Sequence, residues 1–202
     1  LFPSNLCGQL SLLHAHVDPH SLKETEEILA REFGSAWRTE SLQLVEDEEP
    51  VGSGCVAQVY RGKLLGKLYR EGVVNSPDLV AVKVLHPGVR ELIAADLEIL
   101  SYMAETVESW IPCARFLNIS MGVEQFSHVL LSQCDLRVEA EHTKRFAANF
   151  NQDSSKQSIR FPRIFYASSD VLVESFEHGL PIHELLHTEE VDGLGSPQFR
   201  RK

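Results

Sequence analysis

The chain has 202 residues, 43% of them hydrophobic, which is enough to bury one sizeable core and too apolar for disorder throughout. Its 19 basic and 29 acidic residues leave a formal net charge of −10. That excludes broad nucleic-acid binding, whose affinity rests on Lys and Arg neutralising phosphates. Cys7, Cys55, Cys113 and Cys134 are scattered without a C-x-x-C pair, the pattern of a reduced intracellular chain, and no apolar run reaches the ~18 residues that span a membrane.

In chain order, Leu6, Leu10 and Leu13 repeat at helical spacing before Pro19 interrupts. A second helix is predicted from Ser21 to about Phe33. Glu24 completes a Ser-x-x-Glu capping box, Gly34 supplies the stop, and Leu22, Ile28, Leu29 and Phe33 turn inward. The acidic run Glu46 to Glu49, followed by Pro50, reads as a solvated loop. From Val51 the pattern changes to strands, Val56 to Tyr60 and Leu79 to Leu85, joined by a long connection from Gly62 to Pro77. His86-Pro87-Gly88 makes the next turn.

Val89, Leu92, Ile93, Leu97, Leu100, Met103, Ala104 and Val107 then keep a three-or-four spacing as far as Trp110. Beyond Pro112 another helix starts near Val123 and reaches Phe150. Residues 151–158 are a polar loop, 161–164 and 171–176 read as short strands, and Ile182 to Leu186 starts a helix. Helices, strands, helices and strands in that order define an α+β fold with an antiparallel sheet. Trp37 and Trp110 are expected in the core or between helices. His14, His16 and His20 lack the cysteine or carboxylate partners of a metal site, so none is assigned.

The sharpest local signal is Val51-Gly52-Ser53-Gly54-Cys55-Val56-Ala57-Gln58-Val59, a G-x-G-x-x-A-x-V run between strands. Phosphate needs close approach by backbone N–H groups, and glycines at 52 and 54 leave no Cβ in the way. The run continues as strand, unlike a dinucleotide fingerprint, which opens into a helix. Val59 would press on a nucleotide base. Val80-Ala81-Val82-Lys83-Val84 follows, and matches the V-A-I-K pattern of a kinase strand. A lysine flanked by apolar residues is costly to bury unless an anion meets it; otherwise it snorkels from an edge strand.

A carboxylate partner for Lys83 has two candidates. Spacing alone suggests Glu98. Asp135 and Glu139, four apart and on one helix face, are the alternative. Val171 to Glu174, running through Phe176 into Gly179, has the form of a kinase hinge, whose backbone would take the adenine edge.

Taken together these residues resemble the UbiB/AarF (ABC1-type) atypical kinase-like family. The resemblance rests on Pro50 to Tyr60, Val80 to Val89 (V-A-V-K-V-L-H-P-G-V), Asp96-Leu97, Gln133 to Ala140 (Q-C-D-L-R-V-E-A), Phe161-Pro162 and Val171 to Glu174, and covers about residues 2 to 186. It implies that Lys83 pairs with Glu139, because the family inserts helices between the two. It also implies that Asp135 is the aspartate of the family's E-x-D motif, with Gln133 in place of the glutamate. Gly52 and Gly54 stand where most of the family has an alanine-rich loop, which implies a different nucleotide preference.

By resemblance the chain is a helical extension over 1–48, a kinase-like N-lobe with a helical insertion over 49–186, and an unassigned tail over 187–202, the C-terminal lobe being absent. ATP or ADP would be held by Gly52, Gly54, Ala57, Val59, Lys83, Glu139, Glu174 and Phe176, with Mg2+ in the complete protein. No catalytic residue is assigned, because no H-x-D-x-x-x-x-N run and no D-F-G-type motif is present. The family's K-x-G-Q motif is also missing; Leu6-Cys7-Gly8-Gln9 keeps only its Gly-Gln pair. The resemblance further implies a mitochondrial location, membrane or lipid association through the full-length protein, and a link to coenzyme Q and lipid homeostasis. The alternative is a non-catalytic binding or scaffold piece whose helices 89–110 and 122–150 leave apolar faces uncovered.

Overall fold

The computed structural model describes residues 18–45, 49–66, 68, 79–111, 113–151 and 159–179. The predicted helix over 6–13, the Gly8-Gln9 pair, His14 and His16, most of the acidic run and of the 62–77 connection, the loop after residue 151, and everything from 180 onward lie outside them.

Helix α1 (Leu22–Phe33) starts and stops where the sequence signals it. The Ser21 hydroxyl accepts the Glu24 N–H, and the Glu24 carboxylate accepts the Ser21 N–H at 2.9 Å, the reciprocal capping box. Gly34 ends the helix at a φ of 90°, where a Cβ would be strained. Next come α2 (Trp37–Glu40), β1 (Leu42–Leu44), β2 (Gly52–Ser53), β3 (Ala57–Leu64), β4 (Val80–Leu85) and α3 (Val89–Trp110). After a short 3-10 turn at Ala114–Leu117 the chain forms α4 (Ile119–Gln133), α5 (Leu136–Asn151), β5 (Ile164–Ala167) and β6 (Val171–Ser175). The strands pair antiparallel in the order β1-β3-β4-β6-β5, with β2 also on β3.

The two-residue period of a strand gives this sheet two unlike faces. On one, Tyr60 lies opposite Val82, Gln58 opposite Val84, Val82 opposite Val173 and Val84 opposite Val171. These side chains are buried against Ile28 and Leu29 of α1 and Trp37 of α2, forming the main core. Gly62 belongs to this face: a Cβ there would come within 3.0 Å of Val82 Cγ2 and 3.1 Å of the Gln43 carbonyl. The other face carries Ala57 opposite Leu85, Val59 opposite Lys83, Lys83 opposite Leu172 and Ala81 opposite Glu174. Only one end of it is sealed, where Leu136 and Ala140 of α5 pack on Ala57, Leu85, Val89 and Leu172.

Several sequence expectations are corrected. The helix expected from Val123 to Phe150 is two helices, broken at Cys134 and Asp135. Arg90 Nε donates to the Cys134 carbonyl at 2.9 Å, and the Asp135 carboxylate accepts the Arg137 N–H as an N-cap does. Residues 42–44, read as part of a helical extension, are a strand on β3, and α1 shares the sheet's core. Gly62 lies inside β3 rather than in a connection, and the strand expected from Phe161 starts at Ile164. Trp37 is buried as expected, but Trp110 is 83% exposed. Helix α3 buries only Val89, Leu97 and Ala104, leaving Leu92, Leu100 and Met103 exposed despite their helical spacing. Among the described residues no helix is long and apolar enough to cross a membrane.

Candidate functional site

The half-open sheet face gathers most of the residues singled out in the sequence. In cross-strand register, Gly52 lies opposite Val59, Val59 opposite Lys83, and Lys83 opposite Leu172, two residues before Glu174. Side chains at register partners and at i±2 share a face, so Ala57, Val59, Lys83 and Glu174 project to the same side. Gly52-Ser53 doubles back on β3 through a tight loop closed by the Gly54 N–H donating to the Ala57 carbonyl at 2.9 Å. A Cβ on Gly52 would meet nothing within 4 Å, and one on Gly54 only the Ala57 carbonyl at 3.6 Å. Packing does not demand either glycine; their missing side chains leave space open above the sheet.

Lys83 resolves the choice of carboxylate partner. Its Nζ donates to both oxygens of Glu139, at 2.8 and 2.6 Å. Glu98 is exposed on α3. The break between α4 and α5 is what brings Glu139 there. Arg90 holds the junction, donating to the Cys134 and Ser169 carbonyls at 2.9 and 2.8 Å and pairing with Asp170 at 2.6 Å, while the Leu136 N–H meets the Ser169 carbonyl. Glu139 then sits one turn into α5, facing β4.

A cavity of about 670 Å3 opens beside this pair, within the size range of cofactor pockets. Its walls are Gly54 to Ala57 of the loop, Lys83, and the facing side of α4 and α5 from Val129 to Phe146. Gly52, Val59, Glu174 and Phe176 are not on its wall: they continue the same sheet face beyond it. The Phe176 ring instead receives the Arg61 guanidinium, 4.7 Å from its centre.

Electrostatics distinguish the acidic groups. Asp135 takes three contacts from the Arg137 side chain, the shortest 2.6 Å, and these hold its carboxyl below the usual range. Glu174 is pushed the other way, first by burial and then by repulsion from Glu139, with Lys83 opposing. Among the described residues no cluster of His, Cys, Asp or Glu could hold a metal. Two further features were not legible in the sequence: Arg90, whose role needs three separate segments in place, and a hydrogen-bond chain from His20 through His86 to the Gly54 carbonyl.

A glycine loop and a strand lysine paired with a helical glutamate, on an antiparallel sheet with inserted helices, define a kinase-like N-lobe. Residues 12–193 match the ABC1 atypical kinase-like domain, and the chain belongs to that family. It is 34% identical to the mitochondrial ABC1 family protein YPL109C of Saccharomyces cerevisiae, across 94% of this chain and 29% of that protein. It is 27% identical to the "Probable protein kinase UbiB" of Aliivibrio fischeri, across 94% of this chain and 33% of that protein. The chain therefore spans about a third of the length of these curated relatives. The solved structure of Rv3197 from Mycobacterium tuberculosis, a complex with erythromycin, has the same fold at a TM-score of 0.64 and 20% identity, over 92% of this chain and 43% of that one.

Proposed function

We propose that this chain is the ATP- or ADP-binding part of an atypical kinase-like protein. The observation that carries the reading is the Lys83–Glu139 ion pair, at 2.6 Å, on the wall of a cavity whose rim is the glycine loop. A partly buried ammonium held by a carboxylate from another element is preset to meet phosphate oxygens. The loop from Gly52 to Ala57 would approach the same phosphates by its backbone, and Val59 would cover the base. Glu174 to Phe176 would reach the adenine edge through the backbone, on the sheet beyond the cavity.

Mg2+ would serve the complete protein by neutralising phosphate charge. Among the described residues no group of three or more His, Cys, Asp or Glu side chains is placed to hold a metal ion, and Asp135, four residues before Glu139, is already bound by Arg137. Substrate, phosphoryl transfer and any role in coenzyme Q or lipid homeostasis belong to the whole protein. So does lipid or membrane association, and a mitochondrial location follows from the relatives' names.

A thermal-shift titration with ATP and ADP tests the reading. Nucleotide should raise the midpoint of the wild-type protein and leave Lys83→Ala unmoved. Equal stabilisation of both, or of neither, counts decisively against it.

One observation favours a second reading, a non-catalytic binding or scaffold piece. Tyr102, Trp110 and Phe116 are 72%, 83% and 88% exposed along α3 and the turn after it, an apolar surface of the kind that partners cover. Light scattering separates the two: a monodisperse monomer that binds nucleotide favours the first.

A further inference from the structure

Two histidines tie the N-terminal helix to the glycine loop. His86 Nε2 lies 2.9 Å from the Gly54 carbonyl oxygen. His86 Nδ1 lies 2.7 Å from His20 Nδ1. His20 Nε2 lies 2.8 Å from Thr25 Oγ1, which is 2.9 Å from the Tyr60 hydroxyl. Gln58 Nε2 donates to both of those hydroxyls and to the His20 carbonyl. Thr25, Gln58 and Tyr60 are fully buried.

Elementary valence fixes the direction of this chain. A carbonyl oxygen only accepts, so His86 Nε2 carries the hydrogen. In the neutral ring His86 Nδ1 is then an acceptor, and His20 Nδ1 must donate to it. His20 Nε2 is left to accept from the Thr25 hydroxyl. With both imidazoles neutral, the bonds thus run one way, from the core under α1 to the Gly54 carbonyl.

The charged neighbours do not supply a substitute. Glu24 of α1 is held by Ser21, and Arg90 of α3 is paired with Asp170. Arg31 and Glu91 line a small cavity of about 170 Å3 that His86 also borders, together with Arg90 and Asp170.

His86 also holds the loop a second time, its own N–H donating to the Val56 carbonyl at 2.9 Å. The Gly54–Cys55 peptide is trans and planar, so fixing the Gly54 C=O fixes the Cys55 N–H in the opposite direction. One residue, three past Lys83 and just beyond the end of β4, therefore sets which way a loop amide faces.

We propose that His86 is a positioning residue for the glycine loop, and that through His20 the seating of α1 controls how that loop presents itself to phosphate. The inference rests on the nucleotide-binding reading.

The test measures ATP and ADP affinity of the full-length protein by calorimetry, beside its unfolding midpoint without nucleotide, for wild type, His20→Ala, His86→Ala, the double variant, His86→Gln and Lys83→Ala. His20→Ala and His86→Ala should each weaken binding about three- to tenfold, the effect of losing one hydrogen bond, and the double variant should be no worse than either single one. His86→Gln, whose amide can still donate to Gly54, should recover most of the affinity. Unchanged affinity in both alanine variants despite a lower unfolding midpoint, or multiplicative losses, overturns the proposal alone when binding still depends on Lys83. Wild type without nucleotide affinity overturns the binding reading and the proposal with it.

Discussion

Glu139 repels Glu174 across the ammonium group that lies between their elements. Glu139 comes from α5 and Glu174 from β6, while Lys83 on β4 donates to both oxygens of Glu139. Glu174 is already penalised by burial, and the Glu139 charge pushes its carboxyl further up while Lys83 pulls it back. Two carboxylates and one cation leave the site short of positive charge unless the ammonium serves both.

That arrangement predicts opposite responses to two substitutions. Lys83→Met removes the opposing cation, so the Glu174 carboxyl should titrate at still higher pH. Glu139→Gln removes the repelling charge and should lower it. Carboxyl carbon shifts followed by NMR through an acid titration would read both. A Glu174 titration indifferent to either change would mean that the three groups do not share a field. The stability cost of Lys83→Met should stay near or below about 1 kcal/mol, because both partners are partly exposed and solvent screens the pair.

Arg90 should matter more for stability than Lys83. Its guanidinium, from α3, satisfies two carbonyls and one carboxylate from two other segments, and truncation leaves all three short of a donor. Arg90→Ala should cost about 2–4 kcal/mol in urea unfolding. Arg90→Lys should recover only part of that, since one ammonium cannot reproduce the fork. The same loss should loosen the start of α5 and, through Glu139, weaken nucleotide binding in proportion. Full recovery by lysine would show that charge alone, rather than the three-way geometry, joins these segments.

Gly62→Ala separates fold from site. The new Cβ would press on Val82 Cγ2 at 3.0 Å and on the Gln43 backbone carbonyl at 3.1 Å. A backbone atom between paired strands cannot move aside without disturbing the ladder, so about 1–3 kcal/mol should be lost. Gly62 faces the main core, opposite the nucleotide face, so nucleotide affinity measured below the unfolding transition should be unchanged. An equally stable Gly62→Ala protein would mean that β1 can shift away from β3.

Local chemistry was legible in the sequence and long-range geometry was not. Ser21 and Glu24 are three residues apart, so the capping box could be read directly. The loop glycines and the lysine of β4 could be read because strand and turn patterns are local. Spacing could not choose between Glu98 and Glu139; family resemblance did, because 56 residues separate Lys83 from its partner and only the packing of α5 closes the distance. The helix break at Cys134 was hidden because what breaks it, Arg90, lies 44 residues away. Helical spacing in α3 marked an apolar stripe and left open whether anything covers it. Periodicity says which residues share a face, but not whether anything covers that face, and Leu92, Leu100 and Met103 are exposed. His20 was left without a role for a related reason: its partners come from α1, from β3 and from the turn after β4.

His20 also fixes the sign of one pH dependence. Burial, followed by the charge of His86, lowers its pKa from 6.5 to about 4. Between those values the unfolded chain holds a proton that the folded chain does not. Stability therefore falls as pH is lowered through that window, and above it the contribution is constant. Glu174, raised in the fold, works the other way: its folded form gains on acidification. Glu24, lowered by its bonds with Ser21, loses its contribution as pH falls through the carboxylate range. A raw acid curve mixes all three, so the measurement is the stability difference between wild type and His20→Gln, from urea midpoints at several pH values between about 7.5 and 4.5. Wild type should be the more stable at the top of that range, and the gap should close towards the bottom. A gap that stays constant with pH would mean that His20 carries its proton equally in both states, and that the neutral bridge to His86 does not form.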